Sequence, residues 1–297
     1  MSKVSISVIS KKIEELPTPD FIVQRIINIA SDPNSSVKDL NAAVLESPSL
    51  SAKILKLSNS AYYALPRKIT KLSQAINILG FKTVRNLAMS IFTVKNFFRN
   101  EYDFFNTKKF WTHLMSTAIG AELLAKTINF PEREEAFLAG LLHDLGKLAM
   151  SNIMPEIFEM NIKLAKHKKV SFKKAEELLE SYSHESIGKL LFKQWGMSDL
   201  IINSAGFHDS IDNLTDDNSK MIVQIIHIAN ITTNTLYYGY SGNFGVEIPD
   251  TNSWNNLGLN PKKYFNYVEA LKKKIDESEE FMNIDGIVND MEVDENV

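Results

Sequence analysis

The stretch Leu141-Leu142-His143-Asp144-Leu145-Gly146-Lys147 puts an imidazole and a carboxylate side by side at the end of an apolar helix that reads from Glu132 to Leu142. Packing gives an apolar helix face no reason to end in such a pair. A divalent metal does, because it accepts both neutral imidazole nitrogen and carboxylate oxygen. Gly146 is placed to break the turn that follows. Working outward, helical spacing continues on both sides. Phe110 to Ile128 reads as a helix containing His113, and Phe172 to Glu180 as another. Ser183 to Gln194 carries His184 near its start, a further segment ends at His208-Asp209, and Met221 to Thr233 holds His227 and Asn230.

The N-terminal half follows the same period. Thr18 is a candidate cap and Pro19 a first helical residue before Ile22, Ile26 and Ile29, which share one face. Asp32-Pro33-Asn34 is turn chemistry, and Ser36 with Asp39 makes a capping-box start for a helix bearing Leu40 and Val44. Ser49 to Ser60 aligns Leu50, Ile54 and Leu57, and Gly80 closes a helix that starts near Ser73. Thr83 to Phe98 reads as a helix bridging two lobes, and Asn100 to Thr107 as the junction between them. No room is left for a sheet. The expected fold is all-α: a two-lobed helical protein.

Composition sets outer bounds. A chain of 297 residues with 44% apolar side chains can bury a real core. It has no cysteine, which excludes disulfides and thiolate metal ligands. The Lys- and Asn-rich chain opens without an apolar signal segment, so a cytoplasmic location is expected. No apolar run approaches the ~20 residues of a membrane span. Net charge is -3, but after Lys274 nine acids occur with no Lys or Arg. Residues 1–274 then hold 33 bases against 27 acids, a mildly basic body behind a solvated acidic tail. Lys166 to Lys169 and that basic body are the whole case for nucleic-acid binding. With no helix-turn-helix, zinc finger or aromatic RNA platform, that class is disfavoured.

Taken one at a time, the histidines read as ordinary packing. His113 lies among Phe110, Trp111, Leu114 and Met115 like a hydrogen-bonded core residue, and His184 could decorate a helix start. His208-Asp209 reads as a surface loop pair, His167 as an exposed residue among lysines, and His227 as a core or boundary residue. Their order says more. A histidine, an adjacent His-Asp, two further histidines and a polar residue on an apolar helix together resemble the HD-domain metal-dependent phosphohydrolases. The resemblance implies that His113, His143, Asp144, His184 and His208 meet at a site for a divalent transition metal such as Fe, Mn or Zn. It also marks a departure: Asn230 stands where those enzymes supply an aspartate. An amide is a neutral oxygen donor, so the site loses a formal negative charge and much of its hold on a hard cation.

Leu16-Pro17-Thr18-Pro19, the run Ser47-Pro48-Ser49-Leu50-Ser51-Ala52-Lys53-Ile54-Leu55-Lys56-Leu57-Ser58-Asn59-Ser60-Ala61-Tyr62-Tyr63, and Ala75-Ile76-Asn77-Ile78-Leu79-Gly80 resemble the HDOD family, the HD-related output domain of bacterial signalling. The likeness runs over residues 14–213, with 14–100 as an N-terminal helical lobe and 101–213 as the start of an HD-like lobe. It continues more weakly through Asn230. Residues 214–297 would complete the HD-like lobe, with Trp254 to Phe281 as a helical end and an acidic tail from 275. The resemblance implies a regulatory module with a degenerate HD site that acts by contact with a signalling protein. The alternative is a metal-dependent phosphohydrolase acting on a nucleotide or phosphomonoester. There His113, His143 and Asp144 would hold one ion, His184 and His208 a second ion or the phosphate, and Lys147 would neutralise developing charge. An intermediate reading has metal or nucleotide bound without turnover. His208-Asp209-Ser210 replaces the His-His-Glu of cyclic di-GMP phosphodiesterases and no glycine-rich stretch follows, so that substrate is disfavoured.

Overall fold

Every regular element is a helix in the computed structural model, which describes residues 6–98 and 102–283. The one pairing of extended backbone among those residues is a bridge between Tyr102 and Phe105. The start of the Asn100–Thr107 junction and the acidic tail beyond Asn283 lie outside the described residues. The all-α fold class holds. No helix among the described residues is long and apolar enough to cross a membrane. The described residues divide into two compact units, 18–98 with 273–283 and 6–17 with 102–272.

In the first unit, local chemistry fixes where helices begin. Asp20, rather than Thr18, caps Phe21–Ser31, and its carboxylate accepts from Val23 N at 2.9 Å. The Ser36–Asp39 capping box forms as expected: Asp39 N donates to Ser36 Oγ at 3.3 Å and Ser36 N to Asp39 Oδ2 at 2.9 Å. Ser47 caps Pro48–Ser58, with Pro48 in the first turn, where its missing N–H costs nothing. Phe81–Phe97 does not bridge lobes. It lies within this unit, buried continuously from Val84 to Val94, and packs on Phe21–Ser31 and Pro48–Ser58. A helix enclosed on all sides cannot show its role in a one-sided apolar stripe. Residues 273–283 also belong here, not to the HD-like lobe, because Phe281 packs 5.2 Å from the Tyr62 ring and Lys274 donates to the Tyr62 carbonyl.

The second unit is built on two tight helix crossings. Thr107–Thr127 crosses Arg133–Leu142 at Gly140, where a Cβ would sit 2.8 Å from Ala118 Cα. Leu145–Ile153 crosses His184–Gln194 at Gly146, where a Cβ would sit 2.1 Å from the His184 carbonyl oxygen and 2.8 Å from Gly188 N. Gly146 therefore serves close approach within a helix. The break falls one step earlier, at His143-Asp144 itself. Asp217–Thr235 lies along Thr107–Thr127, joined by a 2.9 Å bond between the hydroxyls of Thr233 and Thr117. Ile6–Glu14, which has no sequence signal of its own above, packs on Leu145–Ile153 and is tied by Lys12 Nζ to Ile153 O at 2.7 Å.

Gly146→Ala is expected to destabilise the protein by about 3 kcal/mol, the upper range for forcing volume into a packed interior. Gly196→Ala, at φ +64 past the end of His184–Gln194 with nothing within 4 Å of an added Cβ, is expected to cost only the left-handed strain of about 1 kcal/mol. Denaturant unfolding of the two variants checks the difference, and equal losses would contradict the crossing.

Candidate metal centre

Five helices deliver the candidate residues to one place. His113 projects from the second turn of Thr107–Thr127, and His143 and Asp144 occupy the break between Arg133–Leu142 and Leu145–Ile153. His184 opens His184–Gln194, where Ser183 caps the helix through Ser186 N, and His208 ends Asp199–Phe207. All five are at most 1% exposed. Asp144 sits among them. Its Oδ2 lies 3.5 Å from His113 Nε2 and 3.4 Å from His143 Nε2, and its Oδ1 lies 3.4 Å from His184 Nε2 and 3.3 Å from His208 Nε2. The last two imidazole nitrogens are 3.3 Å apart.

Neighbouring acceptors fix three of the imidazole tautomers. His143 Nδ1 donates to Gly140 O at 2.8 Å, His208 Nδ1 to Ser204 O at 3.1 Å, and His184 Nδ1 to Glu176 Oε2 at 2.9 Å. A neutral ring with its proton on Nδ1, as in His143, turns a bare Nε2 lone pair toward the Asp144 carboxylate, itself an acceptor. His113 Nδ1 and Nε2, His143 Nε2 and Asp144 Oδ1 are buried with no hydrogen bond. Orphaned buried acceptors are costly unless a cation gathers them.

The donor set fits such a cation. Two ligands at ~2.05 Å from one tetrahedral ion stand about 3.3 Å apart, which matches the separations here. The atoms fall into two groups that share Asp144, one with His113 and His143 and one with His184 and His208. Imidazole and carboxylate donors without thiolate suit Fe, Mn or Zn. Glu176 behind His184 supplies the carboxylate–histidine support typical of metal sites. It also accepts from His184 N at 2.6 Å.

Electrostatics follow from burial. Burial, only partly opposed by Asp144, pushes His113 down to about 4 and also lowers His143, so both are neutral ligands at neutral pH. Burial opposes the His208 cation too, but Asp209, Asp144 and Glu185 outweigh it and hold that pKa up at about 9. Burial alone would raise Asp144, yet Lys147 and His143 hold its carboxyl well below the usual range. Burial and the nearby Asp209 push Glu247 up to about 7. The centre is rich in carboxylate and draws positive charge.

Lys147 is 1% exposed, with its Nζ 2.7 Å from Asp144 Oδ2 and 5.2 Å from the centre of the Phe172 ring. It also donates to Ser241 O at 3.1 Å, and so ties the centre to the segment that covers it. That segment follows Asp217–Thr235. Gly239, at φ +81, lies flat on the neighbouring helix, where a Cβ would fall 2.3 Å from His113 N. Tyr240 N donates to Lys109 O at 2.9 Å, Phe244 N to Val170 O at 3.0 Å, and Phe172 N to Asn243 Oδ1 at 2.8 Å.

Asn230 is buried on its helix but does not point its oxygen at the centre. That oxygen accepts from Asn234 Nδ2 at 2.8 Å, and the Asn230 amide faces Asp209 Oδ1 at 3.5 Å. Asp209 departs from the surface-loop reading. Its side chain is 7% exposed, and its Oδ2 lies 3.7 Å from His184 Nε2 and 3.8 Å from His208 Nε2. Glu185 turns it inward by accepting from Asp209 N at 2.9 Å and from Ser210 Oγ at 2.6 Å. His227 is committed elsewhere: Nδ1 donates to His208 O at 2.8 Å and Nε2 accepts from Asp250 N at 3.1 Å. His167 lies in the basic last turn of Pro155–Lys168 and is exposed. Sequence reasoning missed Glu176, Glu185, Asp209 and Ser241. Only Asp209, beside a motif histidine, carried any local signal.

The same helical arrangement occurs in known proteins. An HDOD domain protein with unknown function from Geobacter sulfurreducens superposes with a TM-score of 0.76 at 23% identity, over 95% of this chain and 99% of that one. A presumptive phosphohydrolase from Shewanella amazonensis SB2B gives 0.69 at 21% identity, over 95% of this chain and 98% of that one. At these identities the likeness concerns the fold. An uncharacterized protein of Treponema pallidum (strain Nichols) is 23% identical over 225 residues, 75% of this chain and 42% of that protein. The chain thus spans about two fifths of the curated relative's length. The HDOD domain itself matches residues 16–211, from the first capped helices through all four histidines that surround Asp144, and on that match the chain belongs to the HDOD family.

Proposed function

We propose that this chain is a signal-transduction module that acts by protein contact, built around a buried HD-type centre that holds divalent metal as structure rather than as a turnover site. The observation that carries this reading is enclosure. His113, His143, Asp144, Lys147, His184 and His208 are each at most 1% exposed, and Ser241 O accepts from Lys147 Nζ, so the donor atoms are enclosed among the described residues. A metal ion bound there would supply Lewis acidity and an acidified water. The protein's own residues then bind and orient it: His113 and His143 on one side of Asp144, His184 and His208 on the other. Ties of this kind join helices that are far apart in sequence. The N-terminal unit also exposes Phe21, Leu45 and Ile78, side chains that a protein partner can cover. The phosphohydrolase reading draws support from the ligand set and from Lys147, whose ammonium is positioned to offset phosphate charge.

Untreated protein is expected to contain Fe, Mn or Zn by elemental analysis, and His143→Ala to lose it. Reloaded protein is expected not to hydrolyse p-nitrophenyl phosphate or nucleotides. Metal-dependent turnover abolished by His143→Ala would establish the enzyme reading in its place, and metal-free wild type would remove the metal from both.

Lys147→Met leaves Asp144 without its buried ammonium and is expected to destabilise the metal-stripped protein by about 3 kcal/mol. Adding Mn(II) is expected to recover most of that loss, since the ion supplies the missing positive charge. Thermal melts with and without Mn(II) check it; a deficit indifferent to metal would show that no ion reaches Asp144.

A further inference from the structure

We infer that Asp209 is the anionic donor that Asn230 no longer supplies: its carboxylate completes the half of the centre formed by His184, His208 and Asp144 Oδ1. The inference rests on the reading that this centre holds metal. It concerns which acid serves it.

Position comes first. The Nε2 atoms of His184 and His208 each meet two carboxylates, Asp144 Oδ1 at 3.4 and 3.3 Å and Asp209 Oδ2 at 3.7 and 3.8 Å. The Asp209 side chain is 7% exposed, and among the described residues no lysine or arginine is paired with its Oδ2, which faces His184 and His208. A buried carboxylate facing two imidazole nitrogens is a metal-ligand geometry or a proton-sharing one, and a bound ion takes the place of the shared proton.

A chain of hydrogen bonds fixes the direction of Asn230. Ser241 Oγ donates to Asn234 Oδ1 at 2.6 Å, and Asn234 Nδ2 donates to Asn230 Oδ1 at 2.8 Å. The Asn230 oxygen is thereby spoken for, and its NH2 faces Asp209 Oδ1 at 3.5 Å. Asn230 acts as a donor toward the acid and leaves Oδ2 turned to the histidines. An aspartate at 230 would set a second negative charge against Asp209 Oδ1, where Asn230 now offers a donor. The charge lost on one helix reappears at the end of another, and the net charge of the ligand set is kept.

Full-length protein stripped with chelator and titrated with Mn(II) or Zn(II) tests this, with bound ions counted by elemental analysis after dialysis. Asp209→Asn, isosteric and still bonded through its backbone to Glu185, is expected to lose one class of ion or bind it at least about tenfold more weakly. Asp209→Asn combined with Asn230→Asp is expected to regain wild-type stoichiometry, while Asn230→Asp alone is not expected to bind more tightly than wild type. Circular dichroism confirms that each variant is folded. Wild-type binding by Asp209→Asn, or a double variant as weak as Asp209→Asn, overturns the assignment and leaves the metal reading standing. Wild type that binds neither ion overturns both.

Discussion

One buried carboxylate organises the second unit. Asp144 is fully enclosed, and both its oxygens are shared among four imidazoles and an ammonium drawn from separate helices. Enclosing an ionised group in a low-dielectric interior is expensive unless positive charge or donors surround it. The positions of His113, His143, Lys147, His184 and His208 are the structural answer to that cost. Remove the charge at Asp144 and the neighbouring side chains have no common reason to meet.

The scaffold supplies that meeting by bringing backbones unusually close. Gly140 against Ala118 sets His113 beside His143, and Gly146 against the His184 carbonyl sets His184 beside Asp144. Phe105, Phe110, Phe158 and Phe172 pack in a continuous aromatic cluster next to the site, which keeps the local dielectric low and strengthens each charged contact. The cover running through Gly239, Ser241 and Asn243 is tied to the same helices by backbone and amide bonds.

How much was visible beforehand varies from element to element. The Ser36–Asp39 capping box is written in four consecutive residues and forms as read. Phe81–Phe97 was legible as a helix but not as a fully enclosed one within a single unit, because its periodicity does not say what covers each face. Gly146 looks in sequence like a stop signal, and only its neighbour across the crossing shows that it is a contact. Asp209 looks like a surface residue until Glu185, two dozen positions away, is seen to hold its backbone inward.

By itself the sequence determined the all-helical class, the family, and the identity and order of the histidines and aspartate around the centre. Those are properties of local periodicity and of residue chemistry, both carried by neighbours along the chain. Tertiary structure alone decided that the five side chains share one carboxylate, that Asn230 turns its oxygen away, and that Asp209 turns its acid in. Those outcomes depend on which long-range partners claim each hydrogen-bonding atom once burial has removed water, and spacing along a chain does not encode that competition.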